Sequence, residues 1–397
     1  MRYFRFQLHQ LLTNRKNLAV IGIALVALLC QFIFFPPNKA PAELPTRNAL
    51  TRDRDKNVAF VNEPHGFMTA KWVPATREFA NIETRMLNAQ KQQRTQSYVK
   101  ATLHYLAFLG QNAANPDAQS SPFHYPLSYY FENRQYPDAD AAFANATMYR
   151  SLEPLAKQAH PDTATIKQQT FWQTLFRGAA GGWLTALLIV TILFANDLLT
   201  SEQRHRSIAR LLPISPWHAV NAKTFTVFTA LSGFLVAAVA IIAAFVIPQH
   251  GLGSLSAAIA YYAKDGMSIK LDPLALGIAL PTILGLTLLL MWLFIRLNLL
   301  CQLLFHNELV GLVVSAFLLF GEPLYFMHGI AFSVPQTAYY LPGYMNPAAI
   351  VSGLQNFRYD TSRMSPLAAV VVIGSVILIL EVLLFIVTHR RRAAIIK

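Results

Sequence analysis

Six long apolar stretches divide this chain, and polar or charged segments separate them. A helix needs about 20 apolar residues to cross the hydrocarbon core of a bilayer, and each stretch is close to that length. Six such runs in one chain argue against a soluble protein, whose core would have to bury all of them. The predicted spans are residues 17–35, 171–195, 224–247, 273–295, 303–320 and 366–388. The pattern predicts an all-α polytopic membrane protein with six transmembrane helices.

The polar segments add a predicted domain to these spans. Residues 1–16 are basic with interspersed aromatic and leucine side chains, which suits either a helix in the cytoplasmic membrane interface or a simple topogenic tail. Residues 36–170 form one long segment after the first span. Apolar side chains recur at helical spacing within residues 76–109, and residues 139–152 form a further helical stretch. The sequence thus predicts a mainly helical extracytoplasmic domain.

Small and helix-breaking residues mark the transmembrane region. Gly178 with Gly182, and Gly311 with Ser315, place small residues four positions apart. Such faces let helix backbones approach each other closely. The Gly-Glu-Pro sequence at 321–323 is expected to interrupt the fifth span, which then resumes as a short re-entrant piece.

The distribution of positive charge sets the predicted orientation. Lysine and arginine outnumber aspartate and glutamate by 33 to 20, a net charge of +13 that by itself would also suit nucleic-acid binding. The cations instead cluster at one set of span ends: Arg2, Arg5, Arg15, Lys16, Arg204, Arg206, Arg210, Lys223, Arg296, Arg390, Arg391, Arg392 and Lys397. The positive-inside rule places these segments in the cytoplasm. We therefore expect a multi-pass protein of the plasma membrane with both termini cytoplasmic, in contact with lipid and with no nucleic acid.

Short motifs of catalysis and metal binding are missing from the sequence. It contains no GxxxxGK[ST] phosphate loop, no CxxC pair and no GxSxG elbow, and its 11 histidines show no ligand spacing. The terminal segment 389–397 is too short for an ATPase domain. The first span is interpreted as an anchor, because its apolar run exceeds the usual core of a signal peptide. We therefore predict no cofactor, no metal and no enzymatic activity of the chain itself.

The segment between the second and third spans, residues 196–223, carries the sharpest pattern. Ser201 can cap a helix, and the prolines at 213 and 216 are expected to end it. One face of that helix is apolar and the rest is largely charged, as in helices that dock into a groove of a partner. The candidate contacts are Glu202, Arg204, Arg206, Ile208, Arg210, Leu211 and Leu212. The alternative is an ordinary basic loop in the cytosol.

These residues, together with the six spans, resemble the type-2 ABC exporter permeases, in the variety with a large domain between the first two spans. The resemblance rests on the acidic Glu202, on residues 207–216 (Ser-Ile-Ala-Arg-Leu-Leu-Pro-Ile-Ser-Pro) and on Lys223 at the third span. The chain departs from the family where a basic Arg-His-Arg run replaces the frequent glycine-threonine. The resemblance implies that the 201–212 helix couples to a separate P-loop ATPase subunit. It also implies a homodimer, or a heterodimer with a second permease.

Three carboxylates lie within or beside the predicted spans. Glu381 precedes Arg390 by nine residues, about 13 Å along a helix, at a depth where a charge costs at least ~2.5 kcal/mol. Glu308 lies in the fifth span and Glu322 near its outer end. Each either faces a transport path or pairs within the protein. The candidate partners are Arg296, His306 and His328.

The function that the sequence favours is the permease subunit of an ABC exporter, which forms the translocation path while its partner hydrolyses ATP. The alternative is a membrane sensor or accessory protein whose outer domain detects a ligand. The first is favoured because no cytoplasmic segment is long enough for a signalling module. The substrate stays open among peptide, lipid, drug, ion and polysaccharide.

Overall fold

The computed structural model describes residues 2–34, 40–41, 44–113, 123–126, 129, 137–196, 198, 215–265, 268–326 and 338–396. Most of these residues are helical, which confirms the predicted helical class. Among them, five helices are long and apolar enough to cross a membrane: Arg15–Phe34, Thr163–Ala195, Pro216–His250, Leu276–Phe305 and Pro366–His389. The fifth predicted span, residues 303–320, overlaps the 19-residue helix Glu308–Phe326, which is not among the five. The count of six therefore stays a prediction.

Two helices open the chain, α1 (Arg2–Thr13) and α2 (Arg15–Phe34). The side chain of Asn17 is buried at their junction and donates from Nδ2 to the carbonyl oxygen of Leu11 at 3.1 Å. The surface of α2 stays apolar and exposed, with Ile23 70% and Phe34 68% accessible. A helix that is apolar on its outward face has lipid as its natural solvent.

A helical domain follows, and its own apolar core holds it together. Its helices are α3 (Arg47–Asn62), α4 (Phe67–Ala70), α5 (Val73–Lys91), α6 (Thr95–Asn112), α7 (Pro137–Leu152) and α8 (Thr163–Ile166), with a 3-10 turn at Glu153–Lys157. The helical spacing within residues 76–109 thus corresponds to two helices, which part where Gln93 adopts a φ of 53°. Phe79 stacks on Tyr105 and Phe108, at centroid distances of 5.2 and 4.8 Å.

One carboxylate lies fully inside this domain. Glu83 of α5 has no exposed surface, and its Oε2 accepts a hydrogen bond from Nδ2 of Asn57 in α3 at 2.9 Å. Burial raises the pKa of Glu83 to about 7, with Asp53 raising it further and the Asn57 hydrogen bond and Arg54 lowering it. The protonated carboxyl is therefore the form that the folded domain prefers.

A Glu83→Gln substitution is expected to flatten the pH dependence of the domain's stability. The pKa of Glu83 rises from 4.5 to about 7 on folding. The free energy that protonated Glu83 contributes to folding is therefore fully present below pH 4.5 and is lost as the pH rises from 4.5 through about 7. The loss reaches about 3 kcal/mol at pH 8. Thermal unfolding of both proteins from pH 4 to 8 measures this, with the exposed Glu78→Gln in the same helix as control. Parallel pH profiles for wild type and Glu83→Gln would contradict it.

The second predicted span is a broken helix. It consists of α9 (Phe171–Gly178), a π-helical turn (Ala179–Trp183) and α10 (Leu184–Ala195). No described atom lies within 4 Å of the position that a Cβ of Gly182 would take, so the predicted close-packing face at Gly178 and Gly182 stays a prediction there. Gly182 has a φ of 106°, which only glycine adopts readily. The Trp183 ring lies directly against Gly178.

The third long helix begins earlier than predicted. It is α11 (Pro216–His250), and Oγ of Ser215 caps it by accepting from the backbone N–H of His218 at 3.3 Å. Pro216 was expected to end the preceding helix, but it is the first residue of α11. Proline fits there because the N–H groups of the first helical turn have no acceptor within the helix, so the N–H that proline lacks would form no helical hydrogen bond.

A β-hairpin that the sequence did not suggest follows α11. Strands β1 (Ala258–Asp265) and β2 (Ser268–Ala275) pair antiparallel, with Ala258 opposite Ala275. Pro273, the predicted start of the fourth span, lies in β2 opposite Ala260. The fourth long helix, α12 (Leu276–Phe305), begins directly after β2.

Helix α13 (Glu308–Phe326) follows α12 after a two-residue break in which His306 has a φ of 55°. The predicted interruption at 321–323 is wrong, because α13 continues through Pro323; a proline in the last turn removes one hydrogen bond without stopping the helix. Most of the predicted re-entrant piece lies outside the described residues. The predicted small face at Gly311 and Ser315 packs on Asn298 of α12, whose Nδ2 donates to Oγ of Ser315 at 2.8 Å.

The remainder of the described chain consists of a 3-10 turn (Leu341–Tyr344), α14 (Pro347–Val351), α15 (Leu354–Arg358) and the long α16 (Pro366–Ile396). Helix α12 forms the centre of the bundle and packs against α10, α11, α13 and α16. Its side chains Leu290, Met291, Leu293 and Phe294 are all fully buried. The position of α12 therefore decides which polar groups the bundle encloses.

Candidate functional site

The predicted coupling residues Glu202, Arg204, Arg206, Ile208, Arg210, Leu211 and Leu212 lie outside the described residues. The structure does describe the two places where their segment meets the bundle, at Leu198 and at Ser215. The site is therefore built from the side chains that hold these two ends.

Two long polar side chains hold the first end. The amide Nε2 of Gln302 in α12 donates to the carbonyl oxygen of Ala195 at 2.7 Å, and Nζ of Lys223 in α11 donates to that of Leu198 at 2.8 Å. The last carbonyls of a helix have no partner within it, and they carry the negative end of the helix dipole. A lysine that is only 1% exposed is well satisfied there. Both ends of the segment are thus joined through Lys223.

The second end is held by a buried arginine. Trp217, Asn221 and Thr224 lie on one face of the first three turns of α11. Arg296 of α12, 3% exposed, donates from Nη2 to Oδ1 of Asn221 at 2.7 Å and from Nη1 to Oγ1 of Thr224 at 3.0 Å. Its guanidinium carbon lies 5.8 Å from the centroid of the Trp217 ring. The start of α11 is therefore fixed to α12.

The same arginine also binds the last long helix. Its Nε lies 2.7 Å from Oε1 of Glu381 in α16, and a quarter of the Glu381 side chain is exposed. Trp292 donates from Nε1 to the same oxygen at 3.4 Å, and its ring centroid lies 5.0 Å from the guanidinium carbon. Of the partners named from the sequence, Arg296 is the one that Glu381 contacts in the described structure.

We call the residues that make these contacts the polar belt. It consists of Lys223, Gln302, Asn221, Thr224, Arg296 and Glu381. The belt links α10, α11, α12 and α16 around the base of the segment 199–214. Charge-assisted hydrogen bonds in a low-dielectric interior are strong and directional. The belt therefore connects the two described ends of the segment to all four helices.

The other two predicted carboxylates lie away from the belt. Oε1 of Glu322 accepts from Nε2 of Gln355 at 3.2 Å and from the hydroxyl of Tyr359 at 3.1 Å, with Arg358 at 3.9 Å. Glu308 lies in the first turn of α13, where the helix dipole favours a negative charge. The structure thus places the three predicted carboxylates at three separate sites.

The sequence analysis did not predict that several residues of the polar belt belong to the site. Arg296 was interpreted mainly as a charge that closes the fourth span, yet it lies nine residues before the end of α12. Asn221, Thr224 and Gln302 carried only a weak signal, as polar residues beside or inside apolar runs. No described group of three histidine, cysteine or acidic side chains is arranged to hold a metal ion.

No protein-family model, curated protein or solved structure matches the chain. Fold and site define a mostly helical protein with helices suited to span a membrane and a polar belt at the base of one connecting segment.

Proposed function

We propose that the chain is the permease subunit of an ABC exporter. A separate P-loop ATPase subunit hydrolyses ATP, and the segment 196–223 receives the resulting movement. The observation that supports this function best is the polar belt, because it fastens both ends of that segment to the surrounding helices.

A movement imposed on the segment reaches the bundle at two points. At the first, Lys223 and Gln302 hold the end of α10. At the second, Arg296 links the start of α11 to α16 through Glu381. Packed helices respond to such a displacement by shifting between discrete arrangements. The ATPase selects between these arrangements by binding one of them more tightly.

The proposed assembly is a dimer, either of this chain or with a second permease. Each copy contributes six spans, with α13 as the fifth, and two copies enclose one path. The chain spans the plasma membrane, with the helical domain of α3–α8 on the extracytoplasmic side and both termini in the cytoplasm.

Thiol labelling tests the orientation. In a chain with Cys30→Ser and Cys301→Ser, an Asn112→Cys thiol is expected to react with a membrane-impermeant maleimide applied from outside, and a Ser207→Cys thiol only after permeabilisation. The opposite pattern would place the segment 196–223 outside and end the exporter proposal.

Co-purification tests the partner. The tagged chain is expected to elute with a P-loop ATPase that mass spectrometry identifies, and the double variant Arg206→Glu/Arg210→Glu is expected to lose most of it. Charge reversal removes contacts that set the register of docking. The control is Arg77→Glu/Lys91→Glu, which reverses two exposed charges of α5. Elution with no ATPase at all would contradict the proposed function.

A further inference from the structure

Three aromatic rings join the helical domain to the membrane-spanning bundle. Phe143 of α7 stacks on Phe357 of α15 with centroids 4.1 Å apart, and Tyr262 of β1 meets both rings at 5.9 and 5.7 Å. All three residues are at most 8% exposed. We call this cluster the ring joint. Aromatic pairs with centroids about 4.5–7 Å apart, as Tyr262 forms with both phenylalanines, contribute about 0.5–1.5 kcal/mol beyond the area they bury.

The backbone reinforces the ring joint. The N–H of Tyr262 donates to the carbonyl oxygen of Ser352 at 2.9 Å. The next residue, Gly353, has a φ of 73°, and a Cβ there would overlap the Tyr262 carbonyl. Glycine alone allows this approach, so β1 is held directly against the segment before α15.

The hairpin that carries Tyr262 is continuous with the central helix. Ala275 ends β2 and Leu276 begins α12, with no residue between them. The N–H groups of Leu276 and Gly277 donate to the carbonyl oxygens of Ala257 and Leu255 at 2.9 and 2.8 Å. These bonds satisfy donors that the first turn of a helix leaves without an internal partner. The hairpin and the start of α12 therefore move as one piece.

Helix α12 also carries the centre of the polar belt. Arg296 lies 20 residues after Leu276 in the same helix, which continues past Pro281 in its second turn. The distance along the helix is about 30 Å. A tilt or shift of α12 at Arg296 is thus transmitted to the hairpin along one continuous helix, which lacks one backbone hydrogen bond at Pro281. The hairpin in turn contacts α7 of the helical domain through the ring joint.

We propose that α12 is a strut that transmits the arrangement of the polar belt through the ring joint to the helical domain. The helical domain then changes its conformational state with the bundle, and a ligand that binds the domain biases the belt in return, since coupling between two sites is reciprocal. This coupling belongs to the chain alone, so it holds whether or not the partner is an ATPase.

Amide hydrogen exchange of the full chain in lipid nanodiscs tests the strut. Four proteins are compared: wild type, Glu381→Gln, Phe143→Ala and the double variant. Glu381→Gln weakens the belt and is expected to change exchange in α7 by roughly 2- to 30-fold, the span of coupling energies between distant sites. In the Phe143→Ala background, Glu381→Gln is expected to leave the exchange rate of α7 equal to that of Phe143→Ala alone.

The controls separate transmission from general loosening. Glu308→Gln removes a carboxylate outside the belt and is expected to leave α7 at the wild-type rate. Phe143→Leu replaces Phe143→Ala if the alanine variant does not fold. Unchanged exchange in α7 on Glu381→Gln, or an equal change in both backgrounds, would overturn the strut. Either result leaves the ATPase test above untouched.

Discussion

An Arg296→Met substitution is expected to destabilise the bundle by about 3–5 kcal/mol, because it leaves the partly buried Glu381 carboxylate without its cation. The guanidinium also donates to Asn221 and Thr224, and those acceptors lose their partner as well. Methionine has a similar length and no charge, so packing against Trp292 is largely kept. Insertion into the membrane should persist, since the substitution leaves unchanged the other basic clusters from which we predict the topology.

A double-mutant cycle shows whether the loss comes from the ion pair. Glu381→Leu alone is expected to cost a similar amount, whereas Arg296→Met/Glu381→Leu recovers most of it, because an apolar pair often replaces a buried ion pair at little cost. Unfolding free energies in lipid nanodiscs provide the measurement, and Arg363→Met, at an exposed arginine, is the control. Losses that simply add in the double variant would show that the two residues act independently.

A Lys223→Met substitution is expected to weaken binding of the proposed ATPase partner about tenfold or more. The Nζ hydrogen bond to the Leu198 carbonyl fixes the two ends of the segment 199–214 relative to each other. A hydrogen bond to a charged group contributes about 1.5–3 kcal/mol, and 1.4 kcal/mol corresponds to tenfold in affinity. Without this bond, binding of the partner must also fix the position of the segment. The free energy that the hydrogen bond contributed is then subtracted from the free energy of binding.

Titration of the co-purified ATPase onto the chain in nanodiscs measures this dissociation constant. Lys71→Met is the matched control, since Lys71 lies on the surface of the helical domain, 5.1 Å from the centroid of the Trp72 ring. A dissociation constant that Lys223→Met leaves unchanged would show that Lys223 serves only the stability of the bundle.

The helices were predictable where a single periodic signal governs them. Long apolar runs located α2, α11 and α16, and helical spacing located α5, α6 and α7. The ends were less predictable, because a proline can either start or stop a helix. Pro216 begins α11, and α13 continues past Pro323. The hairpin was not predicted because most of it lies in a connection between two predicted spans, and its last residues, from Pro273 onward, were assigned to the fourth span.

The site was predictable in its charged residues and not in their partners. Glu381 stood out as a carboxylate deep in an apolar run, but its partner Arg296 lies 85 residues away, and only the fold brings them together. Lys223 belonged to the family-like pattern, yet its partner is a backbone carbonyl. Every residue has such a carbonyl, so the sequence holds no signal for which one is used.

Site-specific photo-cross-linking from the segment 199–214 tests the central claim most directly. A photoreactive amino acid is placed at Leu211, and at exposed Ser254 between α11 and β1 as the control. Irradiation of intact cells is expected to link position 211, but not position 254, to a P-loop ATPase that mass spectrometry identifies. No ATPase adduct from position 211, or equal adducts from both positions, would contradict the claim that this segment couples the permease to ATP hydrolysis.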